Sequence, residues 1–152
     1  MCAMNKVAQV LAALEALTLI AVGVLESFFH RSPELYGIFL IEPEAYDAVR
    51  LWTVNVGFYN MLMGLALIVG VVLVNRSQVV AGRAIVLTIS AMHVVLGLVL
   101  VITEPALWLN GVGEAGLAIA VILAVVIGDR RSRADAAAAT PAGTATPAPP
   151  AP

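Results

Sequence analysis

The chain has 152 residues, 61% of them hydrophobic and only 12% charged, with a formal net charge of −2 and a mean hydropathy of +0.99. A soluble domain carries about 45–50% apolar and roughly 25% charged residues, so this chain cannot cover itself with polar surface and its solvent must be largely lipid. The length excludes a separate soluble enzyme domain, the charge gives no reason to expect nucleic acid, and the single Cys2 excludes an internal disulfide and a cysteine-based zinc site.

The first apolar run, about Val7 to Phe28, follows Lys6. It is too long for the h-region of a signal peptide and carries Glu15 in its middle, so it reads as a retained helix. From His30 to Arg50 the chain turns polar, with Pro33, Gly37 and Pro43 as breakers and Glu34, Glu42, Glu44 and Asp47 as charges. That pattern predicts an extramembrane loop with a short interfacial helix around Tyr46. Further helices are expected over 51–74, 84–102 and 106–127, separated by Asn75 to Arg83 and by the tight Thr103-Glu104-Pro105 turn. Each run approaches or exceeds the ~20 residues a helix needs to cross ~30 Å of hydrocarbon, and short connections make consecutive helices antiparallel neighbours. The sequence therefore predicts an all-α, membrane-embedded antiparallel four-helix bundle over 1–128. An Ala/Pro/Thr-rich cytoplasmic tail, 129–152, lacks periodicity and is expected to be disordered.

Orientation follows from the basic residues of the flanks. Lys6, Arg76, Arg83, Arg130, Arg131 and Arg133 lie on one side, against Arg31 and Arg50 on the other. The excess places both termini in the cytoplasm of a multi-pass cell-membrane protein and puts Trp52 and Trp108 at the outer interface, where amphipathic rings are favoured. The Asn75-Arg76-Ser77 sequon then falls on the cytoplasmic side and is expected to stay unglycosylated.

An ionisable group at bilayer depth costs at least a few kcal/mol, so Glu15, Glu26, His93 and Glu114 are functional candidates. Glu15 and Glu26 are eleven residues apart, about three turns, and share one stripe of the first helix within roughly 20°. On the second helix Asn55 and Tyr59 form an i, i+4 pair, while Asn60 points about 140° from Asn55. Counting ~1.5 Å per residue puts Glu15 and His93 near the midplane and Asn60 and Glu114 slightly outward. Asn55, Tyr59, Asn110 and Glu26 come out nearer the outer surface. The inner half of the second and fourth helices is almost purely aliphatic, which predicts a pocket open to the outside or the outer leaflet rather than a continuous pore.

Glu15, Glu114 and His93 are the candidate catalytic groups, and Glu26, Asn55, Tyr59 and Asn60 the candidate substrate-binding groups. Structural roles compete with these: Glu26 sits close enough to a helix end to pair with Arg31 or Arg50, and membrane Asn and His residues often join helices for ~1 kcal/mol. No metal or other cofactor is expected, although Glu15, Glu114 and His93 are residue types that can converge as ligands. Gly111 to Gly116 spells G-x-G-x-x-G, but no strand precedes it, so close helix packing is the better reading. Gly57, Gly64 and Gly97 are read the same way.

Ala13-Leu14-Glu15, Glu26-Ser27-Phe28, Pro33 and above all Asn55-Val56-Gly57-Phe58-Tyr59-Asn60 carry a resemblance. Over Ala13 to Leu67 the chain resembles a family of small bacterial four-helix membrane proteins, domain of unknown function thirteen-oh-four, through its N-x-G-x-Y-N signature. The resemblance implies four spanning helices and a shared polar set of Glu15, Glu26, Asn55, Tyr59 and Asn60, and it supplies no activity. This chain departs from the family pattern in having Ala16 where a His follows the first Glu, Ser27 where Met is usual, and a wider spacing of the two glutamates. His93 and Glu114 are read as features of this sequence.

Three functions compete. The first is acid–base catalysis on a lipophilic, terpene-like substrate: protonation-driven cyclisation or isomerisation, or epoxide opening, in a cavity that excludes water. The second is binding or proton-coupled transport of a small molecule, for which a chain of this size would have to form a homo-oligomer. The third is an accessory subunit whose polar groups join helices. The partners expected are the lipid bilayer and a lipophilic small molecule, and the first function is favoured because the polar groups cluster in one half.

Overall fold

Lipid as solvent demands helices that satisfy their own backbone, and the chain forms them. A computed structural model describes residues 4–139, so Cys2 and residues 140–152 lie outside the described part. Its elements are α1 (Lys6–Phe29), a short α2 (Tyr36–Phe39), α3 (Tyr46–Asn75), α4 (Val79–Thr103) and α5 (Trp108–Ala139). Single 3₁₀ turns precede α2, α3 and α5, each opened by a proline, whose fixed φ suits a first helical position. Among the described residues, four helices are long and apolar enough to cross a bilayer.

The helices outrun the hydropathy boundaries. α3 begins at Tyr46 rather than Leu51, and α4 at Val79 rather than Ala84. The largest difference is in α5, which continues to Ala139, so the expected disordered tail is helical over 129–139. Charges at Asp129, Arg130 and Arg131 end the apolar run without ending the helix. The alanines beyond them are the strongest helix formers, and Asp129 accepts a two-pronged ion pair from Arg83 of α4, one arm at 2.6 Å.

Neighbouring helices run antiparallel in a ring: α1 packs on α3, α3 on α4, α4 on α5, and α5 closes back on α1. The distribution of sizes is that of a membrane protein. Small residues face inward, including Ala8, Ala12, Ala16, Ser90 and Ala118, while Val10, Leu17, Leu62, Ile102 and Ile119 face outward. Glycines let the helix backbones approach closely. A side chain at Gly57 would meet the Gly23 carbonyl oxygen at 2.6 Å, one at Gly64 the Ala16 carbonyl at 2.7 Å, and one at Gly97 the Gly111 carbonyl at 2.6 Å. Gly113 and Gly116 have open space instead, so only the first glycine of the G-x-G-x-x-G run packs against a helix, because the other two point off the α4 contact.

The two ends of the bundle differ. At the end carrying the termini, Asn5 caps α1 through Ala8 N–H at 2.8 Å and donates to the Ala124 carbonyl of α5 at 2.6 Å. Asn75 donates to Gln9 at 2.9 Å and accepts from Lys6 at 3.3 Å. At and below this seal, Met4, Ala8, Ala12, Val74, Val86, Val121 and Val125 form an apolar core. The α3–α4 turn closes with Ser77 at φ 64° and a Gln78 N–H to Leu73 carbonyl bond of 2.9 Å, a Schellman closure. The opposite end, built from the loops at 30–45 and 104–107, is hollow.

Candidate functional site

Side chains too short to meet across the bundle leave a space, and in the loop half that space is a cavity of about 580 Å³, well inside the ~300–1,000 Å³ of small-molecule sites. Glu15, Thr18 and Glu26 of α1, Thr53 and Asn60 of α3, His93 of α4, and Asn110, Gly113 and Glu114 of α5 border it. Val22, Val56, Leu100 and Leu117 supply apolar wall, and Ile38, Phe39 and Ile41 of the first loop cover it beside Trp52 and Leu107. Leu40 turns the loop back over the bundle at φ 52°, its N–H bonded to the Tyr36 carbonyl at 2.7 Å. Asn110 pins the cover by donating to the Ile38 carbonyl at 2.8 Å. Tyr36 hydroxyl donates to Glu42 at 2.8 Å, and that bond pushes the exposed phenol above its ordinary pKa.

The closed end of the cavity is polar. Glu15, 3% exposed, reaches across the ring to α4, where Ser90 hydroxyl donates to its Oε2 at 2.7 Å and His93 Nδ1 lies 3.3 Å from its Oε1. His93 is 1% exposed. Neither ring nitrogen, nor Glu15 Oε1, makes a hydrogen bond within the described residues. Nearer the loops, Asn60 Nδ2 donates to Glu26 Oε2 at 2.8 Å. Glu114 stands between the two groups, in electrostatic reach of Glu26 on one side and of His93 and Glu15 on the other.

Five of the seven candidate residues are thus brought to one cavity: Glu15, Glu26, Asn60, His93 and Glu114. Asn55 and Tyr59 are not. Asn55 is exposed and its amide donates to its own helix at the Leu51 carbonyl, 2.7 Å away, while Tyr59 is 61% exposed beside Leu62 and Met92 on the outer surface. The reason is rotational. With Asn60 turned toward α1, residues five and one earlier lie about 140° and 100° round the helix, facing lipid. Glu26 takes its partner from α3 and not from the loop arginines, and Arg31 pairs with Asp47.

Ser90 is the group sequence reasoning missed. A lone serine in an apolar run carries little signal, and its spacing of three from His93, which puts both on one helical face, was the available clue. No group of three His, Cys, Asp or Glu residues among those described has the arrangement of a metal site. A depression of about 650 Å³ along Leu87 to Leu96 lies on the face of α4 alone and is almost wholly apolar, as lipid contact requires.

No curated protein and no solved structure matches the chain. A family profile does, over residues 13–127, and it extends past Leu67 through α4 and the spanning part of α5. Ser90, His93 and Glu114 therefore fall inside the family region, and not only the residues of the first two spans. With four spanning helices and a match over three quarters of its length, this multi-pass membrane protein belongs to the family described as Protein of unknown function (DUF1304).

Proposed function

We propose that the cavity takes up a lipophilic small molecule from the bilayer and that Glu15 and His93 act on it by acid–base chemistry. The observation that carries this reading is the buried Glu15–His93 contact at the closed end of a hollow whose walls are otherwise largely apolar. A carboxyl and an imidazole in contact, each with an atom unpartnered, are suited to pass a proton to and from a third molecule. The apolar wall suits a terpene-like substrate and keeps water from a reactive intermediate. Protonation-driven cyclisation or isomerisation, or epoxide opening, are the reactions in keeping with that arrangement. Helix joining accounts for the Ser90–Glu15 and Asn60–Glu26 pairs but not for a hollow between them.

Gly113→Leu tests the reading without touching a charged group. A side chain there meets nothing within 4 Å, so it grows into open space. The variant is expected to melt no lower than the wild type. Its turnover of isoprenoid alkenes or epoxides, followed by mass spectrometry of products in lipid nanodiscs, is expected to fall at least about tenfold, by simple occlusion. Full activity in a stably folded Gly113→Leu protein would place the chemistry elsewhere.

The basic residues of the flanks support an orientation with both termini in the cytoplasm of a cell-membrane protein and the loop end outside. In a Cys2→Ser background, Glu34→Cys is expected to react with an impermeant maleimide on intact cells, and Ser77→Cys only after lysis. The reverse pattern would invert the orientation.

A further inference from the structure

We infer that the ligand of this cavity is a lipophilic amine bound as its cation, an assignment that rests on the cavity being a ligand site. The reason lies in which polar atoms remain free to meet a guest. The side-chain donors are partly engaged, and those left over are the Trp52 indole N–H, the second N–H of each asparagine amide and an N–H of the buried His93 ring. Asn60 Nδ2 donates to Glu26, Asn110 Nδ2 to the Ile38 carbonyl, Ser90 hydroxyl to Glu15, Thr18 hydroxyl to the Leu14 carbonyl at 3.0 Å, and Thr53 hydroxyl to the Val49 carbonyl at 3.0 Å. No Lys or Arg among the described residues lines the space.

The groups of this lining that carry charge are chiefly carboxyls. Glu26 has one carboxyl oxygen outside its bond to Asn60, Glu114 borders the cavity, and Glu15 Oε1, buried at the closed end 3.3 Å from His93 Nδ1, has no hydrogen-bond partner. Three carboxyl groups face a single imidazole. A phosphate, sulfate or carboxylate guest meets no Lys or Arg among the described residues of such a space, and a ketone or ether brings no charge to offset the carboxyls. A protonated amine supplies both the N–H groups and the positive charge, and charge-assisted bonds of this kind are about twice as strong as neutral ones. The wall fixes the remainder of the molecule: Val22, Val56, Leu100 and Leu117 receive hydrocarbon. Glu26 and Glu114 hold the ammonium group near the loops, and the hydrocarbon extends toward Glu15 and His93.

The test compares three probes of equal shape on the full chain in nanodiscs: a dimethylamine carrying a C10 isoprenoid chain, the corresponding neutral isopropyl hydrocarbon, and the corresponding carboxylate. Binding is read by calorimetry, with empty nanodiscs subtracted. The amine is expected to bind at least tenfold tighter than the hydrocarbon, and the carboxylate not at all. Glu114→Gln is expected to erase most of the amine's advantage over the hydrocarbon. Equal binding of amine and hydrocarbon would overturn the inference and leave the cavity as a neutral site. Binding of none of the three would overturn the cavity reading together with it. Because the probe series uses the unaltered chain, the outcome does not depend on any variant folding.

Discussion

Glu15→Gln is expected to lower turnover of a lipophilic substrate by about 10²–10⁴-fold, the range in which a positioned acid or base acts. The variant should keep the fold. Gln offers an oxygen to the Ser90 hydroxyl and fills the same volume, so the bond of 2.7 Å between α1 and α4 survives in kind while the ionisable proton is gone. Glu15→Leu separates the two roles of the residue. It leaves Ser90 and His93, both almost fully buried, with a polar partner missing, at a cost of about 1–3 kcal/mol. Product formation and thermal melting of both variants decide the matter. Loss of activity with retained stability in Glu15→Gln supports a chemical role, whereas wild-type activity in Glu15→Gln reduces the residue to a structural bond.

The second large effect is expected at Gly23. A Cβ there would collide with the Gly57 carbonyl oxygen and stand 2.9 Å from Met61 N, both backbone atoms that cannot rotate away. Gly23→Val must push α1 from α3 along the most extensive helix contact of the bundle. Overpacking costs about 1–3 kcal/mol, occasionally more where the backbone has to move, so this variant should lie at or above that range. Denaturation in mixed detergent micelles measures it, with Gly113→Leu as the comparison: both add bulk at a glycine, and only the first should destabilise. Equal stability of the two would mean that α1 and α3 are free to part.

Hydropathy made the spans legible because the bilayer imposes a length and an apolar character on every segment crossing it, and the four runs are unbroken. Helix ends were less legible. Charges at Asp47 and Arg50, and at Asp129 to Arg131, mark the limit of hydrocarbon, not of the helix, and α3 and α5 pass straight through them. The site was legible in part. An ionisable residue at bilayer depth advertises itself by its cost, so Glu15, Glu26, His93 and Glu114 stood out. The turn of each helix about its axis did not. Asn55, Tyr59 and Asn60 lie close in sequence and look alike on paper, yet α3 is set by Gly57 and Gly64 seating on α1. That seating carries Asn60 inward and the other two into lipid. Gly113 shows the same limit: only its neighbours in space distinguish a packing glycine from one that leaves room for a guest.

A photoreactive probe in an intact bilayer measures the occupancy of the cavity most directly. A diazirine-bearing C15 isoprenoid amine is cross-linked to the wild-type protein and the labelled residues are mapped by mass spectrometry. The cavity assignment requires label on the residues that face the hollow, such as Val22, Phe39 and Leu117, suppressed by excess unlabelled amine and by Gly113→Leu. Label spread over lipid-facing residues such as Leu62, Val95 and Ile119, with no competition, would contradict it.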